Sequence, residues 1–368
     1  MNNIRRSVQL LRWHIFHTIP MIVGHASTYP EFPRKSSLRR YLENLYIYIR
    51  DGAPCAAYDG LGLDIKGRKL NDFVGNLFWI RFLDGILDPE GWKQATPLQR
   101  IVLRGRSQIP LLQNKFLFWS FMEQHGIPTI PMLAHITGGK LYEHPSPGTL
   151  GSVERFFVKP IGEMCGNSAF CVIVKDGKFH VDGKEVTIDD LTNGRQDSIF
   201  QPVVENHRDI KAFNPSTLNT IRIVTCREKN GEIGLWDPGM LRIGRLNACV
   251  DNFAKGGIGV GIDGEGKLER YGYSHDKKLC YVKMECHPDS HLAFKGREIP
   301  YYKDVVDLVK NAHKLFGTLQ TVGWDVAVTS DGAFLLEGNH CWDIEMLQVV
   351  HGKGSASRFG EIFGKRTT

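Results

Sequence analysis

Apolar and polar positions alternate with period two along Arg155-Phe-Phe-Val-Lys-Pro160, Ala169–Val174, Asn219-Thr-Ile-Arg-Ile-Val-Thr225 and Leu235–Ile243, a pattern that predicts strands. Helical spacing runs from about Thr96 into Leu111–Gly126, where Gly126 supplies a stop before Ile127-Pro128, and recurs within Tyr302–Phe316 and Ile344–Val350. Residues 1–95 mix helical periodicity with turn-rich stretches such as Tyr58–Gly67, and predict a mostly helical N-terminal unit. Residues 96–197 then read as a helix followed by a hairpin. The run Ile199-Phe-Gln-Pro-Val-Val204 opens a second β-rich unit over 198–368, with a loop-rich section after Asp263. The fold class expected is α+β, with a ligand cleft between two successive sheet units.

The segment Gly323–Asn339 holds two short apolar strands around a Ser-Asp-Gly turn. Counting outward from Asp331, Asp325 and Glu337 are equidistant, so an antiparallel ladder sets them opposite each other, and alternation puts Asn339 on the face of Glu337. Three oxygen-bearing side chains converge there, the donor type that hard Mg²⁺ takes. Acidic residues on a solvated hairpin face fit the same pattern. Lys159 ends an apolar strand just before proline, a position that suits a cation aimed into a cleft at a phosphate. The loop carrying Gly162 and Gly166 either presents backbone N–H groups to phosphates or is a simple hairpin turn. Gln201, Val203 and Val204 lie on an extended segment that either meets an adenine ring or packs in the core.

A formal charge of +6 spread along 368 residues supplies no concentrated basic face, which argues against a nucleic-acid partner and is met by anionic small substrates. Eight cysteines without a CxxC pair fit free thiols in a reducing cytoplasm. Pro288 inside His287-Pro-Asp-Ser-His291 removes a helical zinc motif. Near the N-terminus a basic pair, Arg5-Arg6, precedes apolar residues interrupted by Arg12, His14 and His17, too polar a run to span a bilayer. It reads as a basic amphipathic helix that either touches an anionic membrane surface or packs against protein.

The order of these features, a helix lysine, a strand lysine before a Gly-containing loop, an extended hinge segment, arginine-bearing strands and finally Asp…Glu-x-Asn, resembles the ATP-grasp superfamily. The wording Leu218–Thr225, Val250-Asp-Asn-Phe-Ala-Lys-Gly-Gly257 and Glu337-Gly-Asn339 is most similar to the sugar-transfer-associated ATP-grasp group, over roughly residues 100–350. The resemblance implies two α+β subdomains gripping ATP, with Lys115 and Lys159 on phosphates, the 201–204 segment at adenine, and Asp325, Glu337 and Asn339 on Mg²⁺. It also places Arg222, and either Arg242 or Arg245, near the transferred phosphoryl group. Asn219, Asn252 and Gly256-Gly257 shape the same pocket, and His207 or Asp209 reaches ribose. Trp342, Asp343 and Glu345 either line an acceptor pocket or cap and pack the last helix. The activity implied is an ATP-dependent carboxylate–amine ligase acting on small or glycan-linked acids and amines, possible in surface-polysaccharide assembly. An ATP-grasp-like kinase and a non-catalytic nucleotide-binding scaffold are the alternatives.

Overall fold

The computed structural model describes residues 10–51, 54–76, 79, 80, 82, 108–146, 148–162, 169–192, 196–246, 251, 253, 256–275 and 281–364. Within them the strands are β1 Ala134–Thr137, β2 Lys140–Glu143, β3 Arg155–Pro160, β4 Phe170–Lys175, β5 Lys178–Val181, β6 Lys184–Val186, β7 Ser198–Pro202, β8 Thr220–Arg227, β9 Ile233–Leu235, β10 Met240–Ile243, β11 Ile258–Ile262, β12 Leu268–His275, β13 Tyr281–Met284, β14 Thr321–Thr329 and β15 Gly332–Asn339. They form two sheets, one in the order β2-β1-β7-β3-β4-β5-β6 and one in the order β13-β12-β11-β10-β8-β14-β15 with β9 beside β8. Neighbouring strands are antiparallel in both.

The break between sheets falls after Pro202, not before Ser198. Strand β7 pairs with β1 on one side and β3 on the other. Its first four residues are buried, the burial expected of a central strand, and an apolar run does not by itself say which sheet it joins. The expected loop-rich section holds β12 and β13. Their polar, aromatic alternation belongs at a sheet edge, and Gly272 is required because a Cβ there would lie 2.8 Å from Phe294. The long helix expected up to Gly126 is two, Ile109–Gln113 and Lys115–Gln124. Asn114 separates them in extended conformation and caps the second by accepting from the Leu117 N–H at 2.9 Å. Lys115 is thus the first residue of its helix, and its N–H donates to the Ile161 carbonyl just beyond β3. A further helix, Ala356–Phe363, follows Ile344–His351.

Alternation on β8 divides the large sheet's two faces. Ile221 and Ile223, with Leu241, Ile243, Trp324 and Val326, pack against Val305, Val309 and Ala312 of the helix Tyr302–Lys314. The opposite face carries Thr220 and Arg222 at one end, and Val224 and Cys226 at the other. Val224, Cys226 and Met240 enter a core shared with Tyr58, Leu61, Leu63, Phe73 and Trp79 from the N-terminal region, with Trp342 from the segment after β15, and with Phe359 and Phe363 from the last helix. Among the described residues of 54–82, the buried apolar side chains enter this shared core and form a wall of the large subdomain.

Trp79 holds that wall in place. It is fully buried, its Nε1–H donates to the Trp342 carbonyl at 3.0 Å, and its ring lies 4.7 Å from that of Trp342 and 5.4 Å from that of Trp236. Trp342 accordingly packs, the second of its two readings. Trp79→Ala is expected to lower unfolding free energy by about 3–5 kcal/mol, as measured by urea denaturation. Removing residues 1–95 is expected to yield aggregated protein, because it strips one side from the shared core. A soluble, cooperatively unfolding fragment 96–368 would show that the N-terminal region is an independent unit.

Candidate active site

The hairpin β14–β15 turns on Ser330 and Asp331, since Thr329 pairs with Gly332. Continued regularly, that register would set Asp325 opposite Leu336 and turn Glu337 toward the core. A bulge at Leu336 corrects it: Val326 pairs with Leu335, and Asp325 with Glu337. Opposition of the two carboxylates, expected from counting about Asp331, is thus produced by a tighter turn and a bulge together.

Asp325 sits on a strand whose nine residues are all buried. Across the ladder Arg222 faces it, donating from Nε at 2.5 Å and from Nη2 at 3.0 Å, and Arg242 on β10 adds a third contact at 3.0 Å. Arg242 also donates to Thr220 Oγ1, and that hydroxyl donates in turn to Asp251, which lies 3.6 Å from Arg242 Nε. Burial works to raise the Asp325 carboxyl, but Arg222 and Arg242 outweigh it and hold it far below the ordinary carboxylate range. Glu337 moves the other way. Burial and the neighbouring Asp325 charge both push it up.

Two carboxylates and an amide oxygen on one hairpin fit a hard divalent cation, and the upward push on Glu337 is what a positive ion between the pair would relieve. Among the described residues no group of three His, Cys, Asp or Glu side chains is placed to hold a metal, and the polar side chain beside Glu337 is the Asn339 amide. Its nitrogen donates to Glu337 Oε1 at 3.3 Å, and an amide flip presents its oxygen.

The small sheet supplies the facing wall. Alternation along β3 turns Arg155, Phe157 and Lys159 into a cleft of about 1040 Å³ while Phe156 and Val158 are buried. Lys115, Val203, Val204, Thr220, Arg222, Arg242, Asp251, Asp325, Glu337 and Asn339 line the same cleft. Six cationic side chains, Lys115, Arg155, Lys159, Lys211, Arg222 and Arg242, line the cleft with six carboxylates, Asp182, Glu205, Asp251, Asp325, Glu337 and Asp343, so the lining carries both signs and no net formal charge. Burial lowers Lys159 to about 8; Glu337 raises it and Lys115 lowers it further. Gln201 also lines the cleft, but its amide is engaged: the oxygen accepts from Lys159 Nζ at 3.1 Å and the nitrogen donates to the Ile130 carbonyl at 3.3 Å. It orients the lysine.

Several expected residues lie elsewhere. Arg245 forks onto Asp289 with both contacts at 2.9 Å, which draws that carboxyl down to about 2 and leaves Arg242 as the arginine of the cleft. Asp209 begins a short helix on the surface, 3.5 Å from Arg208, and neither it nor His207 lines the cleft. Asn219 is buried among Asn206, Asn214, Thr217 and the Gly244 N–H, and braces the entry to β8. Gly162 is exposed and off the cleft wall, while Gly166 and Asn252 lie outside the described residues. Asp343 accepts from the Glu345 N–H at 2.8 Å, capping the helix Ile344–His351, and also lines the cleft. Sequence reading missed Arg155 and Phe157, which period-two spacing from Lys159 would have found, and Thr220, which the same spacing finds from Arg222. Asp251 had no signal beyond its neighbour Asn252.

Lys159 generates a test with a defined sign. Its folded value lies below that of a free lysine, so its charge costs stability at neutral pH, and the cost fades as pH rises above about 8 toward the unfolded value. Lys159→Met is expected to raise the thermal midpoint of the ligand-free protein at neutral pH while weakening nucleotide binding about tenfold or more. In the wild type, nucleotide affinity measured by calorimetry is expected to fall as pH rises through about 8, and Lys159→Arg is expected to flatten that fall. A pH-independent affinity in the wild type would exclude Lys159 as the phosphate cation.

Residues 100–363 match the family described as sugar-transfer associated ATP-grasp. No curated protein matches the chain. Solved structures with a similar fold include N5-carboxyaminoimidazole ribonucleotide synthetase from Thermotoga maritima, at 9% identity over 73% of this chain and 52% of that one, with a TM-score of 0.35. D-alanine–D-alanine ligase from Bacillus anthracis is similar at 14% identity over 69% of this chain and 64% of that one, with a TM-score of 0.36. N5-carboxyaminoimidazole synthase from Aspergillus clavatus, in complex with ADP and 5-aminoimidazole ribonucleotide, is similar at 10% identity over 71% and 54%, with a TM-score of 0.36. The chain spans about half to two thirds of the length of these structures. The family match covers most of the sequence and includes both walls of the cleft, from Lys115 to Asn339: the chain belongs to the sugar-transfer associated ATP-grasp family.

Proposed function

We propose that the protein is an ATP-dependent ligase that joins a carboxylate to an amine, with at least one substrate a sugar derivative or glycan-linked. The observation that carries this reading is the meeting, in one cleft, of Lys115 and Lys159 with the Arg222–Asp325–Arg242 cluster and Glu337. The two lysines would hold the polyphosphate. Asp325, Glu337 and Asn339 would hold Mg²⁺, and when bound that ion neutralises phosphate charge and orients the phosphoryl group for transfer.

The remaining chemistry belongs to positioning. A substrate carboxylate oxygen attacks the γ-phosphorus, the bond to the ADP oxygen breaks, and an acyl phosphate results. An amine then attacks the acyl carbon, loses a proton, and expels phosphate. Arg242, fixed by Thr220, Asp251 and Asp325, presents its guanidinium toward the carboxylate and the charge that develops there. Arg222, with its fork on Asp325, holds that ligand in one orientation, so it acts through the metal ligand. No protein nucleophile is required, because the substrate carboxylate is the nucleophile and water exclusion preserves the acyl phosphate. The sugar-transfer description of the family supports a glycan-linked substrate.

The test is a screen of carboxylates with hydroxylamine as trapping amine, scored for hydroxamate, ADP and phosphate. A ligase yields hydroxamate in step with ADP. A stable phosphorylated product in its place identifies a kinase, and nucleotide binding without turnover on any substrate identifies a scaffold. Glu337→Gln is expected to reduce turnover about 100-fold or more with the fold intact, since it removes a burdened buried acid together with a metal donor. Arg222→Lys loses the fork on Asp325 and is expected to raise the Mg²⁺ concentration needed for half-maximal activity by about tenfold while leaving metal-free nucleotide binding unchanged. An unaltered Mg²⁺ requirement in that variant would remove Arg222 from the support of Asp325.

A further inference from the structure

The helix Ser37–Asp51 is inside out. Its buried side carries Arg40, Glu43, Asn44 and Asp51 with Ile47. Its outward stripe is Leu38, Leu42, Tyr46 and Ile49, which are 68%, 54%, 47% and 73% exposed. Most inward polar groups are engaged where they lie, Arg40 Nε and Asn44 Oδ1 being the atoms without a partner. Glu43 accepts from Lys35, Arg39 and the Tyr58 hydroxyl, Arg40 donates to the Val23 carbonyl, and Arg50 forks onto Asp51. The orientation is therefore held by specific bonds, and the apolar stripe faces outward as a consequence.

The helical residues 10–24 repeat the arrangement. Ile19 and Ile22 are buried, whereas Trp13, Phe16 and Met21 are 58%, 66% and 53% exposed. This helix runs antiparallel beside the first: the His14 ring lies 5.1 Å from that of Tyr48, the Tyr41 hydroxyl donates to the Ile15 carbonyl, and Arg40 reaches Val23. Ile22 and Ile47 enter one core, so the two outward stripes lie side by side. Each carboxylate of residues 10–51, Glu31, Glu43 and Asp51, is paired with a cation. Residues 1–30 contain Arg5, Arg6 and Arg12 and no Asp or Glu, and Glu43 and Asp51 are turned inward against cations. Arg12 and Arg39 are exposed at the rim.

We propose that this helix pair is a membrane-surface seat, lying in the headgroup region of an anionic bilayer with Leu38, Leu42, Ile49, Trp13 and Phe16 directed toward the acyl chains. Apolar side chains around a cationic rim match a surface that is apolar within and negative at its edge. Trp13 and Tyr46 are the residue types that favour that boundary. Face-to-face pairing with a second copy would instead set Arg12 and Arg39 against like charges. Among the described residues no helix is long and apolar enough to cross a membrane, so the pair rests on the surface. The inference is independent of the reaction in the cleft.

The test is flotation of the full chain with phosphatidylcholine vesicles containing or lacking phosphatidylglycerol, without nucleotide. The wild type is expected to float with the anionic vesicles, less so at high salt. The double variant Leu42→Glu/Ile49→Glu is expected to bind them about tenfold or more weakly while keeping wild-type ATP affinity, which certifies its fold. Arg12→Glu, which leaves the apolar stripe intact, is expected to weaken binding in the same direction. Failure of the wild type to float with either vesicle, or equal flotation of wild type and double variant, overturns the proposal. A wild-type dimer in sedimentation that the double variant splits, with vesicles ignored, would assign the face to a second copy. A vesicle-blind monomer would assign it to a protein partner.

Discussion

A carboxylate charge buried on the penultimate strand of the large sheet is the constraint around which the cleft of this protein is arranged. Asp325 lies on β14, between β8 and β15, where it lines the cleft yet is almost wholly withdrawn from water. Two guanidinium groups from the adjoining strands compensate it, and each is held in turn. Arg222 is fixed by its own fork, and Arg242 by Thr220 and Asp251. Removing one partner of such a cluster leaves an uncompensated buried charge, so the strand order β10-β8-β14-β15 and the polar cluster specify each other. The bulge at Leu336 completes the arrangement by bringing Glu337 onto the same face.

That face is divided along the strands. On β8, Arg222 belongs to the cleft and Val224, two residues on, belongs to the core built with Trp79, Tyr58 and Trp342. The N-terminal region is thus one strand-repeat away from the reacting groups. Asp343 makes the same junction from the other side, capping a helix of the shared core while lining the cleft. Packing changes in that core are therefore transmitted to the cleft through short, stiff paths.

What was legible in the sequence follows from which interactions are local. Period-two alternation located β3, β4 and β8 and gave Lys159 and Arg222 their directions, because side-chain alternation is a property of a single strand. The pairing of Asp325 with Glu337 was read correctly from symmetry about the turn, although the route was a two-residue turn plus a bulge. Long-range placement was not legible. Nothing in Ile199–Pro202 distinguishes the centre of the small sheet from the start of the large one. Nothing in Arg242 and Arg245 says that Asp289 takes one and Asp325 the other. Amphipathicity of Ser37–Asp51 is evident from spacing, but spacing gives only an axis. Inward-facing polar partners on other segments, Lys35 and Tyr58 for Glu43 and the Val23 carbonyl for Arg40, turned that axis around.

The cleft is electrostatically unfinished in a way that fits its use. Burial drives Lys159 toward its neutral form from one wall, while burial and Asp325 drive Glu337 toward its neutral form from the other. Each charged form is disfavoured because water has been excluded without a full set of partners. A phosphate beside Lys159 would favour its protonated state, and a divalent cation beside Glu337 would favour its ionised state, so on the proposed reading a metal–nucleotide complex stabilises both charged forms at once. The two pressures have opposite sign: the lysine is pushed toward losing a proton and the glutamate toward keeping one. A ligand carrying only phosphate or only metal corrects one wall and leaves the other strained. On the proposed reading the nucleotide and the metal would each relieve one wall of a desolvation already incurred when the fold buried Lys159 and Glu337.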